Sequence, residues 1–159
     1  MKKSIEKTNV MRILDSKKIG YNSFCYVESS TTVGVEIAKV LNQDPQRVFK
    51  TLVTVGTSKI NYVFVIPVAE ELDLKKAAKS VGEKSISMVK SKELLPLTGY
   101  VHGGCSPIGM KKFFKTTFHN TANDFEKIFF SAGKIGYQVE ISLEDLKKVI
   151  NFSTDDLIC

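Results

Sequence analysis

The feature that most constrains this fold is a glycine-rich segment, 101–109. It reads Val-His-Gly-Gly-Cys-Ser-Pro-Ile-Gly and lies between stretches with the composition of strands. Glycine is used where φ must be positive or where a ligand approaches bare backbone, and Pro107 removes one amide donor and favours an extended Ser106. Such a loop can present several N–H groups to a phosphate or a polarised carbonyl. A stiff connector between strands would have the same pattern, so both interpretations remain open.

The length and composition are those of one soluble globular domain. With 159 residues, of which 43% are apolar and 25% charged, we expect 1–159 to form a single domain with its own core. No apolar run approaches the ~20 residues of a membrane helix, and the basic segment 1–7 lacks the apolar stretch of a signal peptide. Cys25, Cys105 and Cys159 have neither disulfide nor metal-site spacing. We expect a cytoplasmic protein with reduced thiols, without a metal, a cofactor or membrane association.

The charge balance favours a polyanionic partner. The formal net charge is +6, and lysine supplies almost all of it because Arg12 and Arg47 are the only arginines. Lysine contacts phosphate as a point charge and lacks the bidentate geometry that reads bases. A lysine-rich genome would give the same balance, so charge alone supports a nucleic-acid partner without establishing it.

Hydrophobic periodicity predicts helices mixed irregularly with short strands, which indicates the α+β class. We expect Asp73 to cap a helix that Gly82 closes, and Ser142 to begin another through a capping box. Pro96 is expected to stop a helical turn over 91–95, and the tail after Asn151 is expected to fray. Other helices are predicted over 2–17 and 33–41, and strands over 22–27, 49–55, 62–68, 86–89, 113–118, 127–130 and 137–141.

Four motifs, in order along the chain, resemble those of the YbaK/EbsC family. Segment 103–112 is similar to the family's GGxSPxGxKK loop, and 48–53 resembles its aromatic-Lys-Thr-Leu strand. Segment 72–79 is similar to the LDLKKxAK helix start, and 131–136 to the SGGKxG turn. The family consists of free-standing relatives of the editing domain of bacterial prolyl-tRNA synthetases. The resemblance implies a mixed, partly closed β-barrel-like sheet surrounded by helices.

The resemblance also implies an activity, the trans-editing hydrolysis of the ester of a mischarged tRNA(Pro), Cys-tRNA(Pro) above all. Lys50 would hold the 3′-terminal adenosine through its phosphate or ribose. An aminoacyl ester is already activated, so catalysis needs mainly positioning and stabilisation of the oxyanion. Backbone amides around Gly103, Gly104, Ser106 and Gly109 would supply it. In the cysteine-specific members the substrate's own thiol is thought to attack its carbonyl carbon.

Two positions depart from the cysteine-specific pattern and leave the amino acid open. Gln138 stands where those members have an aspartate, and Val33 where they have a phenylalanine. A neutral amide cannot act as an anion toward the ammonium or the thiol of the substrate, so alanine or another amino acid is an alternative. Substrate contacts are expected from five residues: Tyr26, Thr51, Ser131, Gly133 and Gln138.

The expected macromolecular partner is the acceptor end of an aminoacyl-tRNA, and the family suggests a complex with prolyl-tRNA synthetase. Four lysines beside the loop and on one helix are the candidate tRNA contacts: Lys111, Lys112, Lys75 and Lys76.

Two other classes of function remain. A non-catalytic module could bind a tRNA end or a nucleotide in the same pocket. Alternatively, Cys105 could act as a nucleophile with His102 or His119 as its base. We disfavour the thiol hydrolase, because the family leaves position 105 variable and the sequence places neither histidine beside it.

Overall fold

Residues 7–29 and 31–159, apart from the side chain of Glu28, are described by the structure, a computed structural model. It contains a three-stranded and a five-stranded sheet with helices packed against them. The helices are α1 (Asn9–Ser16), α2 (Gly34–Val40), α3 (Leu74–Val81), α4 (Ser91–Thr98) and α5 (Leu143–Leu146). The strands are β1 (Asn22–Cys25), β2 (Phe49–Gly56), β3 (Asn61–Pro67), β4 (Ile86–Met88), β5 (Lys115–His119), β6 (Lys127–Ser131), β7 (Tyr137–Ser142) and β8 (Ser153–Asp155).

The larger sheet is mixed and the smaller one is antiparallel. The strand order is β4-β2-β3-β5-β8 in the larger sheet and β1-β7-β6 in the smaller. β2 and β3, which correspond to the strands predicted over 49–55 and 62–68, form a hairpin in which Lys50 pairs with Ile66 and Thr51 with Val65. The strands β5 and β8 continue the sheet in parallel register. The α+β class is therefore confirmed.

The two sheets meet just before β2. Val48 and Phe129 form a parallel bridge, and the Phe129 amide donates to the Arg47 carbonyl at 2.9 Å. The Arg47 guanidinium donates to Glu140 on β7 at 2.9 Å and lies over the Phe129 ring. No ladder among the described residues joins the opposite edges of the two sheets. The barrel-like closure expected from the family is not confirmed.

The main core lies between the two sheets. It includes Phe118 and Phe130, which are almost fully buried, and α1 packs against it through Val10, Met11 and Leu14. A second hydrophobic cluster lies between α3 and β3, where Ala77 and Ala78 pack against the strand. The two cores place β2 in the middle of the molecule, where it reaches both.

The predicted ends of α3 are confirmed. The Asp73 carboxylate accepts from the amides of Lys75 and Lys76 at 3.0 and 3.1 Å, and Gly82 adopts the left-handed conformation that ends the helix. The capping role of Ser142 is confirmed as well, because its hydroxyl accepts from the Asp145 amide at 3.1 Å.

The prediction that Pro96 stops a short turn was wrong. Helix α4 includes Pro96 and ends at Thr98. The last turn is held without the missing proline donor, because the Gly99 amide donates to the Leu95 carbonyl and the Thr98 hydroxyl to that of Leu94. Lys92, whose carbonyl would have accepted from residue 96, is exposed, so water can take the place of the donor.

The prediction of a frayed tail was also wrong. Strand β8 pairs with β5, and Leu157 beyond it is fully buried. The Leu157 amide donates to His119 Nδ1 at 3.1 Å, and Lys76 holds Asp156 and the Ile158 carbonyl. The tail is thus a folded edge of the larger sheet. The predicted first helix begins at Asn9 among the described residues, and its start over 2–6 lies outside them.

Candidate active site

A cavity of about 450 Å³ lies between the amino-terminal half of β2 and the end of the smaller sheet. The start of α2, the approach to α4 and the first residues of the glycine-rich loop complete its wall. Six of the residues expected in the site line it together: Tyr26, Lys50, Thr51, Gly103, Ser131 and Gln138.

The charged groups of this wall are cationic. Lys50 and Lys90 line the cavity, and no carboxylate does so among the described side chains. Neither ammonium group has an ion pair or a hydrogen bond to the described part of the protein. Lys90 immediately precedes α4, whose amino-terminal end therefore also faces the cavity and adds a partial positive charge. Lys90 was not predicted from the sequence, because an exposed lysine between a strand and a helix has no distinctive pattern.

Thr51 offers a second unused polar group. Its hydroxyl oxygen is enclosed and has no hydrogen-bond partner among the described residues, although the residue lines the cavity. An enclosed hydroxyl without a partner costs free energy. Because the oxygen is enclosed, a ligand in the cavity would reach it only if the Thr51 side chain changed its rotamer.

The first half of the glycine-rich loop faces the cavity. Gly103 has φ +87°, and its amide and that of Cys105 have no acceptor among the described residues, while both residues line the cavity. The Gly104 amide is used within the loop, where it donates to the Val101 carbonyl at 3.0 Å. A Cβ on Gly104 would lie 2.9 Å from the Ile135 amide nitrogen, so this glycine permits contact between the loop and the 133–136 turn.

The second half of the loop packs into the protein. Ser106 is fully buried, and its hydroxyl oxygen accepts from the Ile108 amide at 3.3 Å. Gly109 has φ +81°, and a Cβ there would lie 2.7 Å from the Tyr100 hydroxyl. Gly133, also at positive φ, lies against the same tyrosine ring. Gly104, Ser106, Gly109 and Gly133 are not among the cavity-lining residues, so packing explains these four positions.

Cys105 lines the cavity as a protonated thiol. Burial raises the pKa of Cys105 to about 12, against a smaller opposing effect of a hydrogen bond with Thr98. The thiolate is the nucleophilic form, and almost none of it exists near neutral pH at such a pKa. His119 is bound to the C-terminal segment, whereas His102 lines the cavity. The geometry therefore gives the thiol hydrolase no support.

The smaller sheet contributes three polar residues to the cavity. Tyr26 is buried, which raises the pKa of its hydroxyl, and its amide donates to the Gly136 carbonyl at 2.7 Å. Ser131 pairs with Gln138 across β6 and β7. Gln138 is buried, with 3% of its surface exposed, and its Oε1 accepts from Gln43 Nε2 at 2.7 Å. The contact with Gln43 spans 95 positions of sequence and was not predicted.

The four lysines expected to contact tRNA lie outside the cavity wall. Lys111, Lys112 and Lys75 are exposed, and the Lys111 side chain lies against Gly99 at the end of α4. Lys76 is engaged by Asp156 and by the Ile158 carbonyl. The structure therefore separates the cavity lysines from a more distant set.

The described residues contain no group of three potential metal ligands from histidine, cysteine, aspartate and glutamate. Nor does any helix among them have the length and apolarity needed to cross a membrane.

The comparisons with known proteins identify the family of this chain. The family model of the aminoacyl-tRNA editing domain matches residues 27–149. A protein of Enterococcus faecalis (strain ATCC 700802 / V583), named "Putative Cys-tRNA(Pro)/Cys-tRNA(Cys) deacylase EbsC", is 43% identical over 151 residues, covering 94% of this chain and 92% of the relative. The chain belongs to the aminoacyl-tRNA editing domain family.

Two solved structures share the fold. A protein described only as hypothetical superposes with a TM-score of 0.85 at 19% identity, covering 94% of this chain and 99% of its own. A "putative trans-editing enzyme for prolyl tRNA synthetase" superposes with a TM-score of 0.80 at 20% identity, covering 96% and 98%. At such identities these likenesses extend to the fold alone.

Proposed function

We propose that this protein is an aminoacyl-tRNA deacylase that hydrolyses the ester of mischarged tRNA(Pro), with cysteine as the amino acid removed. The name of the 43% identical relative, which gives Cys-tRNA(Pro) and Cys-tRNA(Cys) as substrates, supports this. The observation that carries the proposal in this chain is the unpaired Lys50 ammonium in a cavity wall without a described carboxylate. Such a wall suits a ligand that is anionic at one end.

Lys50 binds the phosphate or the ribose of the terminal adenosine. Lys90 and the amino-terminal end of α4 add positive potential on the same wall. A lysine provides charge without bidentate geometry, which suits a terminus common to all tRNAs. The tRNA end therefore enters with its backbone along β2 and α4.

The ester carbonyl lies against the first half of the loop. The amides of Gly103 and Cys105 donate to the oxygen that becomes negative as the tetrahedral intermediate forms. Donors already held in place for this charge are worth a factor of about 10²–10³ each in related chemistry. Gly104, Ser106 and Gly109 shape the loop that carries these two amides.

The nucleophile comes from the substrate or from water. With cysteine, the substrate thiol adds to its own carbonyl carbon and the ribose oxygen leaves with the thiol proton. The product is a thiolactone, which water opens to free cysteine. A neighbouring thiol has a high effective concentration, so the cavity need only hold it correctly. The protein's own Cys105 is not required, and burial of that thiol keeps it protonated.

The amino-acid end of the substrate contacts the smaller sheet, where Tyr26, Ser131 and Gln138 line the cavity, and Thr51 on β2. Gln138 makes this end neutral, which favours removal of alanine or another amino acid as a second candidate. Gly133 supports Ser131, whose hydroxyl accepts from the Gly133 amide at 3.1 Å.

The proposed partners are a tRNA acceptor stem and prolyl-tRNA synthetase. The exposed Lys75, Lys111 and Lys112 contact the acceptor stem, while Lys76 holds the C-terminal segment. A domain of this size covers only the acceptor end, so a complex with prolyl-tRNA synthetase in the cytoplasm supplies the choice of tRNA. Binding through lysines predicts that affinity falls as salt rises.

The proposal is tested by incubating the purified protein with Cys-, Ala-, Ser- and Pro-tRNA(Pro) and measuring deacylation. We expect Cys-tRNA(Pro) to lose its amino acid fastest and the correctly charged Pro-tRNA(Pro) to be spared. An added amine should trap the thiolactone. Tight binding of the tRNA without hydrolysis of any ester would instead support the non-catalytic alternative, and preferential loss of alanine the second candidate.

A further inference from the structure

The contact between Gln43 and Gln138 fixes which end of the Gln138 amide is available to a ligand. Gln138 lines the cavity, and its Oε1 is occupied by Gln43 Nε2 at 2.7 Å. Its Nε2 has no hydrogen bond among the described residues and is not among their enclosed atoms without a partner. The nitrogen is therefore the polar atom of Gln138 left for a molecule in the cavity.

Gln43 is well placed to impose this orientation because its backbone is rigid. It follows α2 in a Schellman motif, in which the Gln43 amide donates to the Ala38 carbonyl at 2.8 Å and the Asn42 amide to Lys39 at 3.1 Å. Asn42 has φ +54°, a conformation that asparagine tolerates better than most residues. Asp44 continues with a turn in which its carboxylate accepts from the Gln46 amide at 2.9 Å.

The groups left unpaired favour the observed amide orientation over its reverse. As observed, Gln43 Oε1 is enclosed without a partner. If both amides were turned around, Gln43 would instead enclose its NH₂ group with two unused donors. Enclosed donors without a partner are rarer in proteins than under-used carbonyl oxygens. The pair is thus more stable with the Gln138 nitrogen facing the cavity.

We propose that Gln43 is a positioning residue for the amino-acid subsite, which it turns into a hydrogen-bond donor. Held by Gln43, the Gln138 amide donates to the neutral α-amino group of the bound aminoacyl end and does not bind its ammonium form. The subsite therefore selects the uncharged amine. This inference rests on the proposed function for the kind of ligand, but not on catalysis.

The test measures binding of an uncleavable ligand, 3′-alanylamino-3′-deoxyadenosine, whose amide bond replaces the ester. The alanine side chain does not titrate, so across about pH 6 to 9 the ligand titrates at its amine, near the ordinary ~7.7–8.0 of α-amino groups. The dissociation constant is measured over this range by following protein amide resonances. We expect it to fall several-fold in the unaltered protein as the amine loses its proton.

Other titratable groups face the same space and must be controlled. Histidine side chains ordinarily titrate within this range. The pH dependence of the dissociation constant is therefore compared between variants that all retain His102. On β7, Glu140 follows Gln138 on the same strand face and is paired with Arg47 at 2.9 Å. Among the described side chains, the ionisable groups that line the cavity are Tyr26, Lys50, Lys90, His102 and Cys105.

Three variants separate positioning from mere packing. A carboxylate in Gln43→Glu accepts only, so it draws the Gln138 nitrogen and turns the oxygen to the cavity. The dissociation constant should then rise with pH, since that oxygen accepts from the ammonium. Gln43→Leu frees the amide and should flatten the slope, whereas Gln46→Leu, at an exposed position in the same turn, should retain it.

The inference is overturned if Gln43→Glu and Gln43→Leu keep the unaltered slope, if the unaltered protein shows none, or if the ligand does not bind. Deacylation of aminoacyl-tRNA by the same preparations is measured in parallel. Loss of that activity in every preparation, with the binding slopes as expected, would refute the proposed function and leave the role of Gln43 standing.

Discussion

The two halves of the glycine-rich loop contain the same residue type in the same backbone region and differ in what surrounds it. Gly103 and Gly109 both have positive φ, +87° and +81°. Gly103 lines the cavity and its amide has no acceptor in the described part of the chain, whereas Gly109 lies against the Tyr100 hydroxyl and α1. Under the proposed function, Gly103 serves a ligand, whereas Gly109 serves packing. A motif therefore identifies a loop more securely than it identifies which of its residues act.

The same contrast recurs among the lysines and the histidines. Lys50 lines the cavity and has no partner among the residues that the structure describes, while Lys76 holds the C-terminal segment. His102 lines the cavity, while His119 accepts from the buried Leu157 amide. Each pair gives a matched comparison in which the cavity member should affect activity and the packed member stability.

The largest expected effect concerns the lysines. Lys50→Ala should reduce deacylation by two orders of magnitude or more, because it removes an unpaired charge from the cavity, and should leave the melting temperature nearly unchanged. Lys76→Ala should retain most activity and loosen the C-terminal segment. Single-turnover deacylation and thermal melting are the measurements. Equal activities of the two variants would erase the distinction between cavity lysine and structural lysine.

Substitution of Gly109 should mainly reduce stability, whereas substitution of Gly103 should mainly reduce activity. Gly109→Ala adds a Cβ 2.7 Å from the Tyr100 hydroxyl at positive φ, and we expect a loss of about 2 kcal/mol or more in the free energy of unfolding. Its activity per folded molecule should remain. Gly103→Ala, whose Cβ meets Thr32 at 3.2 Å, should lose about 1–2 kcal/mol and most of its activity. Denaturant unfolding measures the stability of each variant, and active-site titration measures its activity per folded molecule. Loss of activity per folded molecule in Gly109→Ala, with activity retained in Gly103→Ala, would contradict this assignment.

The histidines should differ in the pH dependence of stability. Burial lowers the pKa of His119 below its ordinary 6.5, while Asp156 acts more weakly in the opposite direction. Below that ordinary value the unfolded chain takes up the proton more readily than the folded one, so stability falls as pH decreases. His119→Gln should reduce this acid loss, and His102→Gln should not. Chemical denaturation at several pH values measures it, and identical acid profiles for both variants would contradict the assignment.

The smallest expected effect belongs to Cys105. Burial raises its pKa to about 12, so it supplies almost no thiolate, and Cys105→Ser should change the rate of deacylation less than about threefold. A rate that collapses in this variant but survives in Lys50→Ala would show that the protein uses its own thiol.

The local parts of this architecture could be predicted from the sequence. The hairpin of β2 and β3 follows from two β-branched runs around Gly56, and α3 follows from Asp73 and Gly82 at its ends. The two wrong predictions, for Pro96 and for the C-terminal tail, have causes outside the local sequence pattern. Pro96 is tolerated because hydrogen bonds hold the last turn of α4, and the tail is ordered by Leu157 entering the core.

The site could be predicted only in part. The family resemblance predicted site roles for Lys50, Gly103 and Gln138, and all three line the same cavity. Local sequence patterns do not predict how a side-chain amide is oriented or which residue it contacts, because both depend on packing between distant segments. Gln43 is therefore visible only in the structure, and Lys90 enters the site through the direction of α4.

The most direct test of the division within the loop is a titration of the protein with 3′-alanylamino-3′-deoxyadenosine, followed at each backbone amide. We predict the largest resonance shifts at Gly103 and Cys105, which line the cavity and whose amides have no acceptor among the described residues, and only small shifts over 106–109. In Lys50→Ala these shifts should need a much higher ligand concentration. Shifts centred on 106–109, or on α3 with the cavity unaffected, would contradict the placement of the ligand.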